Sequence, residues 1–428
     1  MAHGVMGMEP FKFVHTADLH LDTPFGGISE VDEQIAARLR DATLRTFDNI
    51  VELCLQQKVA FLLVAGDVYD ARDRSLRAQL RFRDGLARLS QAGISAFVVH
   101  GNHDPLSSRI ATIQWPKDVH VFGGEGVSRV PVSHGDQVIA DIYGISYPTQ
   151  DVRQNLAKDF HREPSSPFAI GLLHCNVGQD TGHEPYAPCS LDDLIGAGMD
   201  YWALGHVHAQ RMLSRERPTV VYPGNPQGRH PGETGPRGCY LVEVNANGGC
   251  YPQFLPVDAV RWSNETVEIA GLGDDEAIIS AAHDVCSSVR ERSQGRPAVC
   301  RIGFTGVGPA HHSLNKPGFL EELAEQVRQT ECGVDPFVWV ERLEAMTRPP
   351  VDVDSLRMGQ DFVGEFLRIA ADSRNQPEVV SQIRNEMSKL FDSRLGRSFL
   401  QPLSDDEIKI CHEQAESQCL DLILEEQD

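Results

Sequence analysis

The chain has 428 residues and a formal net charge of −22, from 39 Lys and Arg against 61 Asp and Glu. This balance argues against a broad nucleic-acid-binding surface, because contacts to a phosphate backbone need cationic side chains. The ten cysteines are scattered without a C-x-x-C pair, which argues against a disulfide framework or a structural zinc site. No apolar run is long enough to cross a membrane, so we expect a cytoplasmic protein without membrane contact.

Short runs of aliphatic and aromatic residues predict strands through the first 250 residues. The runs are FKFV (11–14), VAFLLVAG (59–66), ISAFVVHG (94–101), FAIGLLHC (168–175), YWALGH (201–206), TVVYPG (219–224) and CYLVEV (239–244). Apolar residues at helical spacing predict one helix from Ile35 to Leu55, with Ser29 near its start, and a second from about Arg74 to Gln91. Strands that alternate with helices predict an α/β fold in which helices cover buried strands.

The second half of the chain has a different pattern. A loop rich in Gly and Pro (223–238) is followed by mixed strands and helices, and a Pro-bearing stretch (346–354) then precedes an acidic helical segment. We therefore expect three domains, at residues 1–258, 259–345 and 346–428.

Residues that bind metals follow nearly every apolar strand of the first half. They are Asp18 and His20, Asp67 and Asp70, Asn102 and His103, His174, and His206 and His208. In open α/β sheets the carboxyl ends of strands gather at one edge, and residues two apart in extended chain point the same way. Carboxylates, imidazoles and an amide oxygen together suit a pair of divalent transition metals.

These motifs, in this order, resemble those of the calcineurin-like metallophosphoesterases. HTADLHLDTPF (15–25), GDVYD (66–70), VVHGNHDP (98–105), LLHCNVG (172–178), WALGHVH (202–208) and YPGNPQGRH (222–230) are similar to the SbcD-type DNA-repair exonucleases and their YhaO-like subgroup. The resemblance covers residues 11–258 and is weak beyond. It implies a four-layer β-sandwich flanked by helices, a smaller α+β capping domain and a helical acidic C-terminal segment.

The resemblance also implies a role for each residue. Asp18, His20, Asp67 and His208 would hold one ion, and Asp67, Asn102, His174 and His206 would hold the other. His103 would act as the acid at the leaving oxygen, and Asp70 would orient it. The ions would be Mn²⁺, with Mg²⁺, Fe²⁺ or Zn²⁺ as alternatives, and a hydroxide bridging them would attack a DNA phosphodiester in repair or recombination.

Several residues permit two interpretations. Arg74, Arg77, Arg81 and Arg88 share one face of the predicted second helix, which is either a contact to DNA phosphates or a solvated basic face. Arg229 lies in the loop 223–238, which either contacts substrate or merely connects strands. His15 either supports a metal ligand or is structural, whereas Asp22 and Asp104 favour a role in turns.

Two other functions stay open at this point. One is a phosphoesterase for cyclic nucleotides, small phosphoesters or phosphoproteins; the other is a scaffold subunit that does not turn over. The residues beyond 258 favour a macromolecular substrate. The resemblance also suggests DNA, an SMC-like coiled-coil ATPase and a second copy of the chain as partners.

Overall fold

The computed structural model describes residues 8–23, 25, 33–70, 75–108, 113–135, 137–178, 184–374, 376–391 and 403–425. The strands are β1 (Phe11–Thr16), β2 (Phe61–Ala65), β3 (Ser95–Val99), β4 (Val119–Val121), β5 (Ser128–His134), β6 (Gln137–Gly144), β7 (Ala169–His174), β8 (Tyr201–Gly205), β9 (Arg211–Ser214), β10 (Thr219–Tyr222), β11 (Gly238–Val244), β12 (Cys250–Pro256), β13 (Arg261–Glu268), β14 (Ala298–Val307) and β15 (Val338–Arg348). The α-helices are α1 (Glu33–Arg40), α2 (Ala42–Gln57), α3 (Leu76–Gln91), α4 (Leu191–Gly196), α5 (Asp275–Arg292), α6 (His311–Leu314), α7 (Phe319–Glu331), α8 (Val353–Arg357), α9 (Phe362–Arg374), α10 (Pro377–Phe391) and α11 (Asp405–Glu425).

The chain divides into two compact units. One comprises Met1–Glu265, Val285–Arg301 and Arg328–Arg342, and the other comprises Thr266–Asp284, Ile302–Val327 and Leu343–Asp428. The three-domain division at residues 258 and 345 stays a prediction. Among the described helices, none has the length and apolar character that a membrane crossing would need.

Two six-stranded sheets form the first unit. Their strand orders are β12-β11-β1-β2-β3-β4 and β5-β6-β7-β8-β10-β9. The strands from β1 to β4 pair in parallel, as do β6, β7, β8 and β10, while antiparallel strands complete the sheets. All seven predicted strands are present, and the α/β class is confirmed.

The packing confirms the four layers. Phe13 and Phe61 belong to an apolar core shared by residues of both sheets, with their rings stacked 5.0 Å apart. Their neighbours Val14 and Leu62 belong to a second core with residues of α2 and α3, because successive strand residues face opposite sides. Trp202 anchors a third core, where its indole donates to the Leu194 carbonyl of α4.

The helix boundaries differ from the predicted ones for local reasons. The first predicted helix is two helices, α1 and α2, separated at Asp41, and Ser29 lies outside the described residues. The second begins at Leu76, because the Ser75 hydroxyl accepts from the Ala78 amide and so caps the helix.

The C-terminal segment is helical, as predicted, from α8 to α11. Val363, Leu367 and Leu420 form a small buried core there. The predicted linker begins inside β15, which continues to Arg348. A three-stranded sheet in the order β13-β14-β15 precedes these helices and has strand and helix content, as the α+β prediction requires.

Candidate metal centre

The candidate metal-binding side chains lie at the carboxyl ends of five strands. Asp18 and His20 follow β1, Asp67 and Asp70 follow β2, Asn102 and His103 follow β3, His174 ends β7, and His206 and His208 follow β8. β1, β2 and β3 are neighbouring parallel strands of one sheet, and β7 and β8 are neighbouring parallel strands of the other. Residues 190 positions apart in the chain therefore meet at one edge, as the position of ligand sites in α/β sheets predicts.

The backbone at these positions corrects one premise of the sequence reasoning. Asp18, His20, Asp67 and His206 have φ values of 52°, 42°, 51° and 101°, so they are left-handed rather than extended. This conformation is costly for residues other than glycine and is concentrated at functional sites. The Asp18 amide donates to the Gly66 carbonyl and the His20 amide to the Asp67 carbonyl, each at 3.0 Å. The loops after β1 and β2 thus hold each other in the unusual conformation.

Three overlapping groups of ligand atoms each lie within 4.8 Å of one another. They are Asp18, His20 and His208; Asp18, Asp67 and His174; and His20, Asp70 and His103. Asp18 is common to the first two groups, whereas the sharing of Asp67 between two ions stays a prediction.

The first group presents two imidazole nitrogens to each other. The Nε2 atoms of His20 and His208 are 3.3 Å apart. The His20 Nδ1 donates to Asp70 at 3.2 Å and the His208 Nδ1 donates to Glu233 at 2.7 Å. Burial, with the charge of Arg229, lowers the pKa of His20 to about 4, so the ring is neutral and its Nε2 carries a lone pair. A cation between the two nitrogens satisfies both.

The second group surrounds His174. Its Nδ1 donates to the Ala65 carbonyl at 2.9 Å, while its Nε2 lies 3.0 Å from the Asn102 Oδ1 and 3.3 Å from the Asp67 Oδ2. Burial acts to lower the pKa of His174, but the charges of Asp67 and Asp18 outweigh it and raise the pKa to about 9. The position therefore attracts positive charge, which a divalent cation supplies more strongly than a proton.

The carboxylates of this group differ in their electrostatics. Burial raises the pKa of Asp18. Burial also opposes the ionisation of Asp67, but the charge and hydrogen bond of His174 hold the pKa of that carboxyl well below its usual range. The Asp67 Oδ1 accepts from the His103 amide at 2.9 Å, which fixes the loop after β3 against the loop after β2.

Two glycines allow the strands to approach the His174 ring. A Cβ on Gly66, whose φ is +94°, would lie 2.4 Å from the His174 Nδ1. A Cβ on Gly205 would lie 1.8 Å from the Ala65 carbonyl oxygen. Any larger residue at either position would displace the ring or the strand that carries it.

His206 lies beside the second group. Its ring centroid is 5.3 Å from that of His174, and its amide donates to the Asp18 Oδ1 at 3.0 Å. The His206 Nε2 donates to the Glu184 carbonyl at 2.9 Å, which leaves the lone pair of the neutral ring on Nδ1. This arrangement is compatible with coordination through Nδ1, and the ligand role of His206 stays a prediction.

His103 and Asp70 form a close pair next to these groups. The His103 Nδ1 is 2.5 Å from the Asp70 Oδ1, and the side chains are 45% and 13% exposed. Burial acts to lower the pKa of His103, but the Asp70 hydrogen bond and the charges of Asp67 and Asp70 outweigh it and raise the pKa. Asp70 also accepts from the Thr23 hydroxyl at 2.6 Å. The result is an accessible imidazole held by a largely buried carboxylate.

The predicted arginine face is occupied by acidic partners. Arg77 pairs with Asp41 at 2.6 Å, Arg81 pairs with Asp48, and Arg88 pairs with Glu52 at 2.5 Å. Arg74 lies outside the described residues. These pairs favour the interpretation as a solvated surface, and DNA contacts by Arg77 and Arg81 stay an untested prediction.

Arg229 does lie at the site. Its Nη1 donates to the Asp70 Oδ2 at 3.3 Å, and its side chain is 14% exposed. Its buried Nε has no hydrogen-bond acceptor within the described part of the chain. The loop 223–238 therefore brings a cation with donor capacity to the carboxylate that holds His103.

Other residues have structural roles. His15 is fully buried; its Nδ1 lies 3.0 Å from the Tyr201 hydroxyl and its Nε2 3.2 Å from the Leu204 carbonyl, which favours the structural interpretation. Asp104 accepts from the amides of Val68 and Gly101, and Asp22 accepts from the Ser75 hydroxyl, which supports their predicted roles in turns.

Glu233 was not identified from the sequence. Burial acts to raise its pKa, but hydrogen bonds from His208 and His230 hold the pKa well below the usual range. The only available signal was chemical, because a metal-binding histidine usually donates its second nitrogen to a carboxylate or carbonyl. No spacing in the sequence identifies which carboxylate that is.

Comparisons with known proteins agree with this donor set. Residues 11–210 match the family of calcineurin-like phosphoesterases, and residues 262–348 match the middle domain of metallophosphoesterase YhaO. YhaO of Bacillus subtilis, an uncharacterized metallophosphoesterase, is 38% identical over 344 residues, which cover 80% of this chain and 84% of that protein.

Two nuclease-related proteins match over a shorter part. The DNA double-strand break repair protein Mre11 of Aeropyrum pernix is 29% identical, over 50% of this chain and 53% of that protein. One component of the nuclease SbcCD of Bacillus subtilis is 21% identical, over 50% of this chain and 61% of that protein. The match to YhaO along most of the chain, together with residues that fit the two-metal centre of such enzymes, assigns the family. The chain belongs to the calcineurin-like metallophosphoesterases.

Proposed function

We propose that the protein hydrolyses phosphodiester bonds of DNA as an exonuclease in repair or recombination. The observation that carries the proposal is the convergence of two groups of metal-binding atoms beside the His103–Asp70 pair. The similarity to proteins named as a DNA double-strand break repair protein and a nuclease component supports DNA as the substrate.

The donor set fits two divalent cations. Asp18, His20, Asp67 and His208 would hold one of them, and Asp67, Asn102, His174 and His206 the other. When bound, such ions polarise the phosphodiester and neutralise the charge that develops on it. Imidazole and carboxylate ligands together suit Mn²⁺, which we propose as the metal ahead of Mg²⁺, Fe²⁺ and Zn²⁺.

The chain's own groups supply the proton and orient the substrate. Since the His103 Nδ1 is bound to Asp70, the Nε2 is the nitrogen that can meet the leaving oxygen. The raised pKa of His103 favours the protonated ring, which can give a proton to that oxygen. Arg229 can contact a phosphate oxygen through donors that Asp70 does not use.

One observation favours a second candidate, a phosphoesterase for cyclic nucleotides, small phosphoesters or phosphoproteins. The formal charge is −22, and Arg77, Arg81 and Arg88 are already paired with acidic side chains. A long phosphate backbone gains less from such a surface than a small ester does. Against this, the extensive structure beyond residue 258 favours a macromolecular substrate.

The partners follow from the proposed activity. We propose DNA as substrate, an SMC-like coiled-coil ATPase and a second copy of this chain as protein partners, and the cytoplasm as the location. Copurification under mild conditions tests the ATPase, and sedimentation tests self-association. Isolation without any coiled-coil ATPase would count against that partner.

The decisive assay uses end-labelled linear DNA, single- and double-stranded, with Mn²⁺, Mg²⁺ or chelator in parallel. We expect release of nucleotides with Mn²⁺ and none with chelator. Parallel reactions with cyclic nucleotides and bis(p-nitrophenyl) phosphate separate the candidates. Turnover of these small esters with intact DNA would favour the second candidate, and no turnover of any ester would favour the scaffold.

A further inference from the structure

Glu233 lies in the loop between β10 and β11 and is 3% exposed. One carboxylate oxygen, Oε1, accepts from the His208 Nδ1 at 2.7 Å. The other, Oε2, accepts from the Arg229 amide at 2.8 Å. A buried carboxylate is costly unless its oxygens are paired, and here each oxygen holds a different part of the candidate site.

The same loop also holds the backbone of His208. Arg237 donates from Nη1 to the His208 carbonyl at 2.5 Å, and the Asn225 amide donates to it at 3.3 Å. A Cβ on Gly224 would lie 2.5 Å from that carbonyl oxygen, so the loop approaches as closely as glycine permits. His208 is therefore fixed at both its ring and its carbonyl by residues of one loop.

The hydrogen bond to Glu233 has a direct chemical consequence. With the Nδ1 proton engaged by the carboxylate, the neutral His208 ring carries its lone pair on Nε2. That Nε2 is the atom that lies 3.3 Å from the His20 Nε2 in the first ligand group. Loss of the carboxylate would free the ring to rotate and to exchange its tautomer.

The second oxygen leads to the other end of the site. The Arg229 backbone is held by Glu233, while its guanidinium donates to Asp70. Asp70 in turn accepts from His103 and His20. One carboxylate thus connects a metal-binding histidine with the arginine that borders the proposed acid.

We propose that Glu233 is a positioning residue, which fixes His208 as a metal ligand with one oxygen and Arg229 with the other. Binding of the cation at His208 and placement of the Arg229 guanidinium then depend on the same side chain. The inference rests on the proposed ligand role of His208 and the proposed substrate contact of Arg229, but not on DNA being the substrate.

The test measures Mn²⁺ binding to the full chain without substrate, by calorimetry and by electron paramagnetic resonance. Glu233→Ala should weaken one of the two Mn²⁺ sites by about 10- to 100-fold and leave the other unchanged. Glu216→Gln, which changes a carboxylate on an exposed residue of the same unit, is the matched control and should bind as wild type. A folded Glu233→Ala protein with two unchanged Mn²⁺ affinities would overturn the inference.

Glu233→Gln serves where the alanine variant does not fold. The amide has one oxygen for two facing donors, so at least one of the His208 and Arg229 contacts is lost. We expect either a weaker Mn²⁺ site or a higher KM for bis(p-nitrophenyl) phosphate. Wild-type values for both would contradict the positioning role.

A double-mutant cycle examines the Arg229 contact. Arg229→Ala should raise KM in the wild-type background and raise it less in Glu233→Ala, because the arginine is already displaced there. Independent effects would refute the link. Failure of the nuclease proposal is separate: Mn²⁺ binding that depends on Glu233 without DNA cleavage keeps the inference, whereas DNA cleavage with Mn²⁺ binding indifferent to Glu233 removes the inference alone.

Discussion

The Asp70 Oδ1 lies 2.5 Å from the His103 Nδ1, and the same oxygen lies 3.2 Å from the Nδ1 of His20. One carboxylate therefore holds both the proposed proton donor and a proposed metal ligand. Burial opposes its ionisation, but the hydrogen bonds of His103 and His20 hold the pKa of Asp70 well below its usual range. The two functions can be separated by changing either end of the pair.

His103→Ala removes the proton donor and leaves the metal-binding groups in place. We expect kcat to fall by about 10²- to 10⁴-fold, the usual contribution of proton transfer, with KM and Mn²⁺ stoichiometry nearly unchanged. Steady-state kinetics and Mn²⁺ titration check this. His161→Ala, at an exposed position, is the control. Equal activity of His103→Ala and wild type would remove the acid assignment.

Asp70→Asn changes both ends at once. The amide retains an oxygen for one histidine, but it lacks the charge that raises the pKa of His103. We expect a loss of kcat of at least about tenfold, because a weaker acid transfers its proton less effectively. Mn²⁺ binding through His20 should also weaken, which His103→Ala should not show. A variant that loses activity but binds Mn²⁺ as wild type would mean that Asp70 acts only on His103.

Neutralising the arginine face should leave DNA binding largely unaltered. Arg77 and Arg81 are about half exposed and already paired with acidic side chains, so Arg77→Ala with Arg81→Ala should leave the dependence of DNA affinity on salt unchanged. Each pair contributes only about 0.2–1 kcal/mol to stability. Fluorescence anisotropy across a salt series measures the slope. A flatter slope in the double variant would restore these residues as DNA contacts.

His15 predicts a loss of stability in acid. Burial lowers its pKa from 6.5 to about 3, so the unfolded chain takes up a proton below pH 6.5 that the folded protein does not. The free energy of unfolding should therefore fall between pH 6.5 and pH 3, by about 2–3 kcal/mol at pH 4.5 from this group. His15→Gln should show a shallower decline in urea titrations over this range. Parallel curves for the two proteins would contradict the assignment.

The strands of both sheets could be predicted from the sequence because their buried residues form continuous apolar runs. The predicted runs include all five strands that carry the candidate ligands, so the meeting of Asp18 with His208 followed from strand ends alone. β5 and β12 were missed, since their alternating exposed residues produce no apolar run. The start of α3 was misplaced because Ser75 caps it, a contact that periodicity does not report.

The contacts around the ligands could not be predicted in the same way. The D-x-H spacing suggested extended chain, but Asp18 and His20 are left-handed, since the loops after β1 and β2 bond to each other. Glu233 and Arg237 are joined to His208 only by the path of a loop rich in Gly and Pro. The pairing of Arg81 with Asp48 likewise depends on how α2 packs against α3, which a helical wheel of α3 alone omits.

The most direct test of the two-metal claim is a crystal structure of the protein soaked with Mn²⁺, with anomalous scattering measured at the manganese edge. We predict two peaks about 3.5–4 Å apart. One should lie among Asp18, His20 and His208, and the other beside Asp67, Asn102 and His174. A fully occupied single peak, peaks elsewhere in the chain, or no anomalous signal at saturating Mn²⁺ would contradict the account.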